Sequence, residues 1–274
     1  MRFPVKSLRG LAVPDLEISA AGLTADRRWM VVDGKGHFLT QRQLPRMATL
    51  SVIEEAEGLL LGSGGSEGFE RVCMVEKPAD SDVKIEVTVW SDKCQGLLAK
   101  QSVNQWLSHE LEHSCRLVYL PLTSPRAVRG FDNNHLAFAD GYPLLLTSQA
   151  SLRELNLRLA SKGVSAVSMN RFRPNLVVGA DQDLEPFAED HWASLTVGNL
   201  RLVNAKACGR CMVITTDQRS GIRDAAREPL STLREFRIDS QGEICFGINL
   251  VPELLDGATA AVIKPDDQLE VQWK

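Results

Sequence analysis

Long apolar runs, a secretory signal and an excess of basic charge are all missing from this chain. No apolar stretch approaches the roughly 18 residues that a membrane-spanning helix needs. The start, Met1-Arg2-Phe3-Pro4-Val5-Lys6, has no hydrophobic signal region. The formal net charge of −4 gives no overall attraction for nucleic acid or an anionic membrane. We therefore expect a cytoplasmic protein that binds neither, and in which local cations hold any anionic ligand.

Cysteine is also scarce, with six residues in a chain of 274. That number does not suffice for a disulfide scaffold in a chain of this size, and it fits a reducing compartment. A hydrophobic content of 44% and a charged content of 24% are ordinary for a soluble globular protein. At roughly 150 residues per domain, the length predicts two domains or one large β-rich domain.

Short β-strands dominate the predicted structure of the first third of the chain. Val83, Ile85, Val87 and Val89 alternate with polar residues, which is the pattern of a half-buried strand. Residues 33–36, with the sequence Asp-Gly-Lys-Gly, lie between two apolar segments and predict a hairpin turn. Many short strands at this spacing favour a barrel or a sandwich.

An amphipathic helix follows these strands. It carries four apolar residues on one face at helical spacing, Val103, Trp106, Leu107 and Leu111. His109 and His113 lie four residues apart, but on the polar side together with Glu110 and Glu112. A solvated helix face is therefore favoured over a pair of metal ligands.

The polar stretch after Pro121 predicts a domain boundary, with domains at residues 1–121 and 122–274. In the second domain we expect a helix soon after Ser148 and a strand over residues 195–203. That strand leads directly into the two cysteines described next.

Cys208 and Cys211 enclose Arg210 in the sequence Cys-Gly-Arg-Cys. A thiolate is a ligand for soft metals, and a neighbouring cation favours its charged form. Two packed free cysteines are the simplest alternative. A structural zinc site would need a second pair of ligands, and the other four cysteines lie far apart. A thioredoxin-like pair should begin a helix, whereas the β-branched residues 212–216 predict a strand.

Arg171 and Arg173 flank Phe172 immediately before the strand-like residues 176–178. Because they alternate around Phe172, we expect one arginine to face outward and the other to face a site. Solvation at the surface is the alternative for both.

These segments, in this order and spacing, resemble the MOSC (molybdenum cofactor sulfurase C-terminal) domain family. The branch is that of the bacterial N-hydroxylated-compound reductases and the mitochondrial amidoxime reducing component. The resemblance extends over nearly the whole chain. It rests on Pro4-Val5-Lys6-Ser7, Asp26-Arg27-Arg28-Trp29, Thr40-Gln41-Arg42, residues 148–152, Phe172-Arg173-Pro174-Asn175, Cys208-x-Arg210-Cys211-x-x-x-Thr215-x-Asp217, Glu228-Pro229-Leu230-x-Thr232-Leu233 and Phe246-Gly247-x-Asn249.

The resemblance implies a β-rich α+β fold in which an N-terminal MOSC β-barrel domain precedes a MOSC β-barrel domain with a few flanking helices. It also implies a molybdenum cofactor at the domain junction, with Cys211 as the catalytic metal ligand. Thiolates suit a metal that already carries dithiolene sulfur, and arginine presents planar bidentate donors to phosphate. The cofactor-binding residues implied by the resemblance are Lys6, Arg27, Arg28, Asp140, Tyr142, Thr147, Ser148, Arg173, Asn175, Thr215 and Asp217.

Three features depart from the family pattern. The motif at residues 4–7 stands almost at the start, where relatives usually have a strand, so we expect a short first strand or an earlier natural start. Residues 214–218 read Ile-Thr-Thr-Asp-Gln in place of Thr-Thr-Val-Asp-Pro. The chain carries no Cys-x4-Cys-x2-Cys run. We therefore expect no iron–sulfur cluster in this chain, and a separate ferredoxin-like protein or flavoprotein as electron donor.

The activity that the resemblance implies is that of a molybdenum-cofactor-dependent oxidoreductase. Such an enzyme would remove an oxygen atom from small N-hydroxylated or N-oxide-like substrates. A non-catalytic carrier that binds the cofactor without turnover is the alternative. A pyridoxal-phosphate or thiol-redox protein is a third interpretation.

Overall fold

The structure is a computed structural model that describes residues 1–64, 69–179 and 184–274. Its strands are β1 (Leu16–Ser19), β2 (Gly22–Leu23), β3 (Trp29–Val32), β4 (Ser51–Glu55), β5 (Gly58–Ser63), β6 (Arg71–Glu76), β7 (Lys84–Val89), β8 (Asp92–Leu98), β9 (Arg116–Tyr119), β10 (Arg126–Val128), β11 (Phe131–Leu136), β12 (Leu144–Ser148), β13 (Leu176–Val178), β14 (Trp192–Val197), β15 (Leu200–Gly209), β16 (Cys245–Leu254), β17 (Ala260–Ile263) and β18 (Glu270–Trp273). Its α-helices are α1 (Gln101–Leu111), α2 (Gln149–Ser161) and α3 (Leu230–Arg234). Short 3-10 helices cover Pro45–Thr49, Met169–Arg171, Ala188–His191 and Met212–Thr215. The predicted β-rich α+β fold is therefore confirmed.

Two antiparallel sheets make up the first part of the chain, with strand orders β3-β9-β8-β7 and β4-β5-β6. The alternating strand predicted from the sequence is β7, where Val87 and Val89 are fully buried and pair with β8. Helix α1 places Val103, Leu107 and Leu111 in the core that the two sheets share. Apolar periodicity thus gives both the strand and the helix face that cover this core.

A six-stranded sheet dominates the second part, in the order β13-β12-β16-β15-β14-β18. Its two longest strands, β15 and β16, pair along most of their length. Helix α2 buries Leu152, Leu155 and Leu159 against Phe172 and Phe246, whose rings stack at 4.0 Å. This packing fixes the segment around Phe172 beside the end of β15.

The two parts are interleaved. Strand β1 pairs antiparallel with β17, so residues from the start of the chain share a sheet with residues near its end. The chain then returns through the first sheets before entering β12. The boundary after residue 121 stays a prediction. In the described ranges, no helix is long and apolar enough to cross a membrane.

The single strand predicted over residues 195–203 was wrong in outline. Residues 195–203 do not form one strand, because the chain turns at Gly198, whose φ is +53°, and continues as β15. Gly198-Asn199 is a hairpin signal that the apolar residues on either side obscured. The polar stretch after Pro121 contains the hairpin of β10 and β11.

The strand predicted over residues 212–216 was also wrong. Met212–Thr215 is a 3-10 helix, in which the backbone N–H of Thr216 donates to the Val213 carbonyl. The Thr215 hydroxyl donates to the Met212 carbonyl over 2.8 Å and satisfies it locally. Ile214 enters the core beside Phe172. Tertiary burial of Ile214 and Thr215 therefore overrides the strand preference of β-branched residues.

The polar side of α1 is solvated only in part. The His109 side chain is 81% exposed, as predicted, but Glu110 is buried. Arg71 on β6 donates two hydrogen bonds of 2.9 Å to its carboxylate. The prediction failed at Glu110 because a bidentate partner from a neighbouring strand replaces water.

Candidate functional site

A cleft lies where the start of the chain meets the end of β15. Lys6, Arg27 and Arg42 enter it from the first part, and Arg173 and Arg210 from the second. Cys208 and Cys211 also line it. Seven of the twelve predicted site residues line this cleft: Lys6, Arg27, Asp140, Tyr142, Arg173, Asn175 and Cys211.

The two cysteines stand on different elements. Cys208 is the penultimate residue of β15, and Cys211 is the N-cap of the 3-10 helix Met212–Thr215. The strand predicted directly after Cys211 is replaced by this 3-10 helix. Both residues are half-buried and unbridged. A register shift between Ala207 and Gly209 bends the end of β15 and brings the pair to the cleft.

Arg210 ties the cysteine segment to the rest of the cleft. Its backbone N–H donates to Ile244 at 2.6 Å. Its guanidinium donates to the Cys208 sulfur at 3.1 Å and to the Phe172 carbonyl at 2.7 Å. The arginine between the cysteines thus contacts the first thiol directly, and it lies over the Phe172 ring at 5.5 Å from the ring centre.

Lys6 and Asp140 form an ion pair on the cleft wall. The Lys6 ammonium donates to Asp140 at 2.5 Å and to the Phe138 carbonyl at 2.8 Å. Burial lowers the pKa of Lys6 despite the opposing charge of Asp140. Burial would raise the pKa of Asp140, but Lys6, Arg42 and the Trp90 N–H outweigh it and hold that pKa well below its usual range. The Asp140 carboxylate is therefore ionised at neutral pH.

Arg27 and Arg173 carry positive charge that nearby carboxylates only partly balance. Arg27 contacts the Asp26 carboxylate and donates to the Asn175 amide oxygen at 3.0 Å. Arg173 donates to the Leu8 carbonyl at 2.8 Å. Burial and then the charge of Arg27 lower the pKa of Arg173 to about 9. An anion at this end of the cleft would relieve that repulsion.

Three cleft residues hold the left-handed backbone conformation that L-amino acids avoid. The φ angles are +69° at Ser7, +48° at Arg27 and +59° at Arg173. Each costs on the order of 1–3 kcal/mol and persists only where surrounding contacts impose it. Such residues gather at ligand clamps, and here two of them are the arginines that face each other.

Asn175 lines the cleft with its side chain already partnered. Its amide oxygen accepts from Arg27 and from the backbone N–H of Leu145 at 3.2 Å. Its amide nitrogen donates to Asp26 at 3.3 Å. Asn175 therefore orients Arg27 and Asp26. Tyr142 is half-buried and also lines the cleft.

The structure does not bring the other five predicted residues to the cleft. Arg28 points into a separate cavity, donates to the Leu120 carbonyl and lies over the Tyr119 ring at 5.3 Å. Ser148 caps α2 by accepting from the Ser151 N–H at 3.1 Å, and it also donates to the buried Glu189 at 3.0 Å. Ser148 and Ser151 therefore stabilise the start of α2.

The remaining three of those residues also have structural partners. The Thr147 hydroxyl contacts the Met169 sulfur at 3.2 Å in the interior. Thr215 is buried in its own 3-10 turn. Asp217 forms an ion pair with Arg171 at 3.3 Å and accepts from Ser220. Arg171 is thus half-buried and ion-paired, so the outward-facing arginine that we expected near Phe172 is not found.

The polar cleft residues outside the predicted set include Arg42, Arg210 and Asn249. Arg42 lies 4.7 Å from the ring centre of Trp90 and 3.7 Å from the Asp140 carboxylate. Each of the three stands inside a motif that carried the family resemblance. Their place in Thr40-Gln41-Arg42, in the cysteine segment and in Phe246-Gly247-x-Asn249 was the available signal.

A metal in this cleft would have to bring most of its own ligands. Among residues 1–64, 69–179 and 184–274, no group of three or more His, Cys, Asp or Glu side chains could hold a metal ion. Two half-buried thiols and five cations instead fit a ligand that carries both a soft metal and an anionic group. The donor set therefore suits a metal-bearing organic cofactor and not a bare ion.

Comparison with known proteins identifies the family. Residues 1–114 match the family described as the MOSC N-terminal beta barrel domain, and residues 133–270 match the MOSC domain. The predicted domain order is thereby confirmed. The chain is 32% identical over 252 residues to mitochondrial amidoxime-reducing component 1 of Mus musculus, covering 88% of this chain and 71% of that protein.

Two further relatives widen the comparison. Mitochondrial amidoxime-reducing component 1 of Xenopus laevis is 34% identical over 248 residues, covering 86% of this chain and 69% of that protein. Molybdenum cofactor sulfurase of Oryza sativa subsp. japonica is 29% identical over 277 residues. That alignment covers 95% of this chain but only 33% of the sulfurase.

Proposed function

This chain belongs to the MOSC family, and on that premise we propose that it is a molybdenum-cofactor-dependent oxidoreductase that reduces N-hydroxylated or N-oxide-like substrates. The observation that carries the proposal is a single cleft that joins two thiols to a cluster of five cations. Two of the relatives above are named amidoxime-reducing components, and these names support the substrate class. Oxygen removal from such a substrate follows R–NHOH + 2e⁻ + 2H⁺ → R–NH₂ + H₂O.

Arg27, Arg173 and Lys6 would hold the anionic phosphate of the cofactor. Arginine offers two parallel donors to a phosphate, and a hydrogen bond to a charged group contributes about 1.5–3 kcal/mol. Arg173 is suited to this role because its known partner is the neutral carbonyl of Leu8. Three such contacts retain a dianion without a basic protein overall.

Cys211 would supply the protein's thiolate to the metal. It lies at the N-terminal end of a 3-10 helix, where its backbone carbonyl accepts from Ile214 at 3.2 Å. When bound, the cofactor supplies a redox-active centre able to accept an oxygen atom. The Cys208 sulfur accepts a hydrogen bond from the Arg210 guanidinium. Cys208 would therefore help to orient Arg210 in the cleft.

The reducing equivalents would come from a separate protein, ferredoxin-like or a flavoprotein. None of the six cysteines follows the Cys-x4-Cys-x2-Cys spacing of an iron–sulfur cluster. A cytoplasmic location is part of the same proposal.

The proposal is tested by purifying the full chain from a host that makes the cofactor. We expect bound molybdenum and a fluorescent pterin, together with turnover of a model amidoxime or hydroxylamine driven by a small reduced dye. NADH as the only other component should give no turnover. Zinc without molybdenum would refute the proposal.

A non-catalytic carrier remains the alternative outcome of that experiment. A carrier would contain molybdenum and pterin but would not reduce either substrate with any donor. Cofactor content alone does not distinguish the two functions, so turnover per bound molybdenum is the deciding measurement.

A further inference from the structure

Arg27 and Arg173 come from opposite halves of the chain and meet over one aromatic ring. The guanidinium carbon of Arg27 lies 4.5 Å from the centre of the Phe3 ring, and that of Arg173 lies 4.3 Å from it. Two cations brought this close repel each other unless something between them is attractive. The negative face of an aromatic ring provides that attraction.

The Phe3 ring is buried and closely packed against its neighbours. It is 3% exposed, and Gly10 packs so closely that a Cβ there would lie 2.4 Å from the ring carbon Cε1. A glycine at position 10 is therefore required for the ring to occupy this place. Close packing against backbone leaves the ring little freedom to move away from the arginines.

The backbone of Phe3 is tied to the same network. Its N–H donates to the Asp26 carboxylate at 2.7 Å, and its carbonyl accepts from the Arg27 N–H at 2.7 Å. The left-handed conformation of Arg27 is thereby fixed next to the ring that its side chain covers. Phe3, Asp26 and Arg27 are thus joined by hydrogen bonds. Arg173, from the second half of the chain, contacts the Phe3 ring.

We infer that Phe3 is a positioning residue that holds Arg27 and Arg173 together, ready to receive a phosphate-type dianion. The inference goes beyond the proposed function and rests on it only for the identity of the anion. Phe3 does not touch the anion itself. It reduces the reorganisation that two mutually repelling side chains would otherwise need when the anion binds.

The test measures the affinity of inorganic phosphate for the full chain made in a host without the cofactor, by titration calorimetry at pH 7. Phe3→Leu keeps apolar bulk but removes the ring face, and we expect it to weaken phosphate binding roughly tenfold. Phe3→Tyr keeps the ring face and should stay within about twofold. Recovery by Phe3→Tyr is a result that loss of packing alone would not give.

Phe236→Leu is the matched control. Phe236 also lies beneath an arginine, Arg158 of α2, at 3.9 Å, but neither residue lines the cleft. Its replacement should leave phosphate affinity unchanged. Equal weakening by Phe3→Leu and Phe236→Leu would overturn the inference, as would unchanged binding by Phe3→Leu.

A double-mutant cycle separates positioning from general stability. In an Arg173→Gln background, Phe3→Leu should weaken phosphate binding by no more than about twofold further, because the pair that the ring holds is already broken. Full additivity would refute the inference. If Phe3→Leu does not fold, Gly10→Ala displaces the ring by crowding and should weaken binding in the same direction; unchanged binding there would count against it. Failure of the proposed function would instead appear as wild-type protein without molybdenum.

Discussion

The two ends of the cleft are constructed on different principles. At the cation end, Arg27 and Arg173 hold strained backbone conformations and are fixed by a buried ring, a carboxylate and a carbonyl. At the thiol end, a bent strand and a single 3-10 turn present Cys208 and Cys211. Repelling charges must be restrained in advance, whereas one thiolate needs only correct placement. The cation end should therefore govern retention of the ligand, and the thiol end its chemistry.

The largest expected effect is at the thiol end, where it tests whether this end governs the chemistry. Cys211→Ser should lower turnover per bound molybdenum by at least about 100-fold, because an oxygen ligand replaces a soft thiolate at the metal. Pterin content should remain close to wild type, since the cations are untouched. Dye-linked activity, normalised to molybdenum, measures the effect.

Cys208→Ser is the companion variant. It removes the sulfur that accepts from Arg210, while the bond from Arg210 to the Phe172 carbonyl remains. Only a small loss of turnover is therefore expected. An equal loss in both cysteine variants would mean that the thiols work as a pair, and the thiol-redox interpretation would regain support.

The second prediction concerns retention at the cation end. Arg173→Ala and Arg27→Ala should each weaken cofactor binding by about 2–5 kcal/mol, because a buried phosphate loses one partner. Molybdenum and pterin remaining after extensive dialysis are the quantities to measure. Activity per remaining molybdenum should change far less than content.

Arg28→Ala is the control for Arg27→Ala. The two arginines are adjacent in sequence, but Arg28 faces another cavity. Its variant should keep its molybdenum. Loss of molybdenum from Arg28→Ala, or full retention by both Arg27→Ala and Arg173→Ala, would contradict the assignment of the cation end.

The sequence predicted regular secondary structure better than it predicted the cysteine segment at the thiol end. Local periodicity was sufficient for β7 and for the buried face of α1, because burial there follows one regular pattern. The cysteine segment failed because Ile214 packs into a core built from residues distant in sequence. Propensity over five residues contains no information about that core.

The candidate site shows the same limit. Family motifs indicated Lys6, Arg27 and Arg173, which do line the cleft. They could not show that Arg27 and Arg173 both contact the Phe3 ring, since the contact with Arg173 joins residues far apart in sequence. Nor could they distinguish Ser148, which caps a helix, from a residue facing a ligand. Motif membership and side-chain direction are separate facts.

The prediction with the smallest expected effect concerns a buried ion pair outside the cleft, which contrasts with the incompletely balanced cations of the cleft. Glu110 accepts two hydrogen bonds from Arg71, and this contact lowers the pKa of Glu110 from 4.5 to about 2. A carboxylate with a depressed pKa in the folded state contributes stability that is fully present above the unfolded value. That contribution declines as pH falls from about 4.5 towards 2.

Glu110→Gln should therefore lower the free energy of unfolding most above pH 4.5, and the gap to wild type should narrow at lower pH. One carboxylate accounts for a slope of at most about 1.4 kcal/mol per pH unit, and water around the half-exposed Arg71 reduces the effect. Urea unfolding at pH 6 and at pH 3 measures the gap. Glu112→Gln, at a carboxylate that is 76% exposed, should show a small gap at both pH values. A gap for Glu110→Gln that stays constant with pH would mean that Glu110 stabilises α1 by packing alone. In that case the contrast between a paired interior charge and the unbalanced cations of the cleft would lose its electrostatic basis.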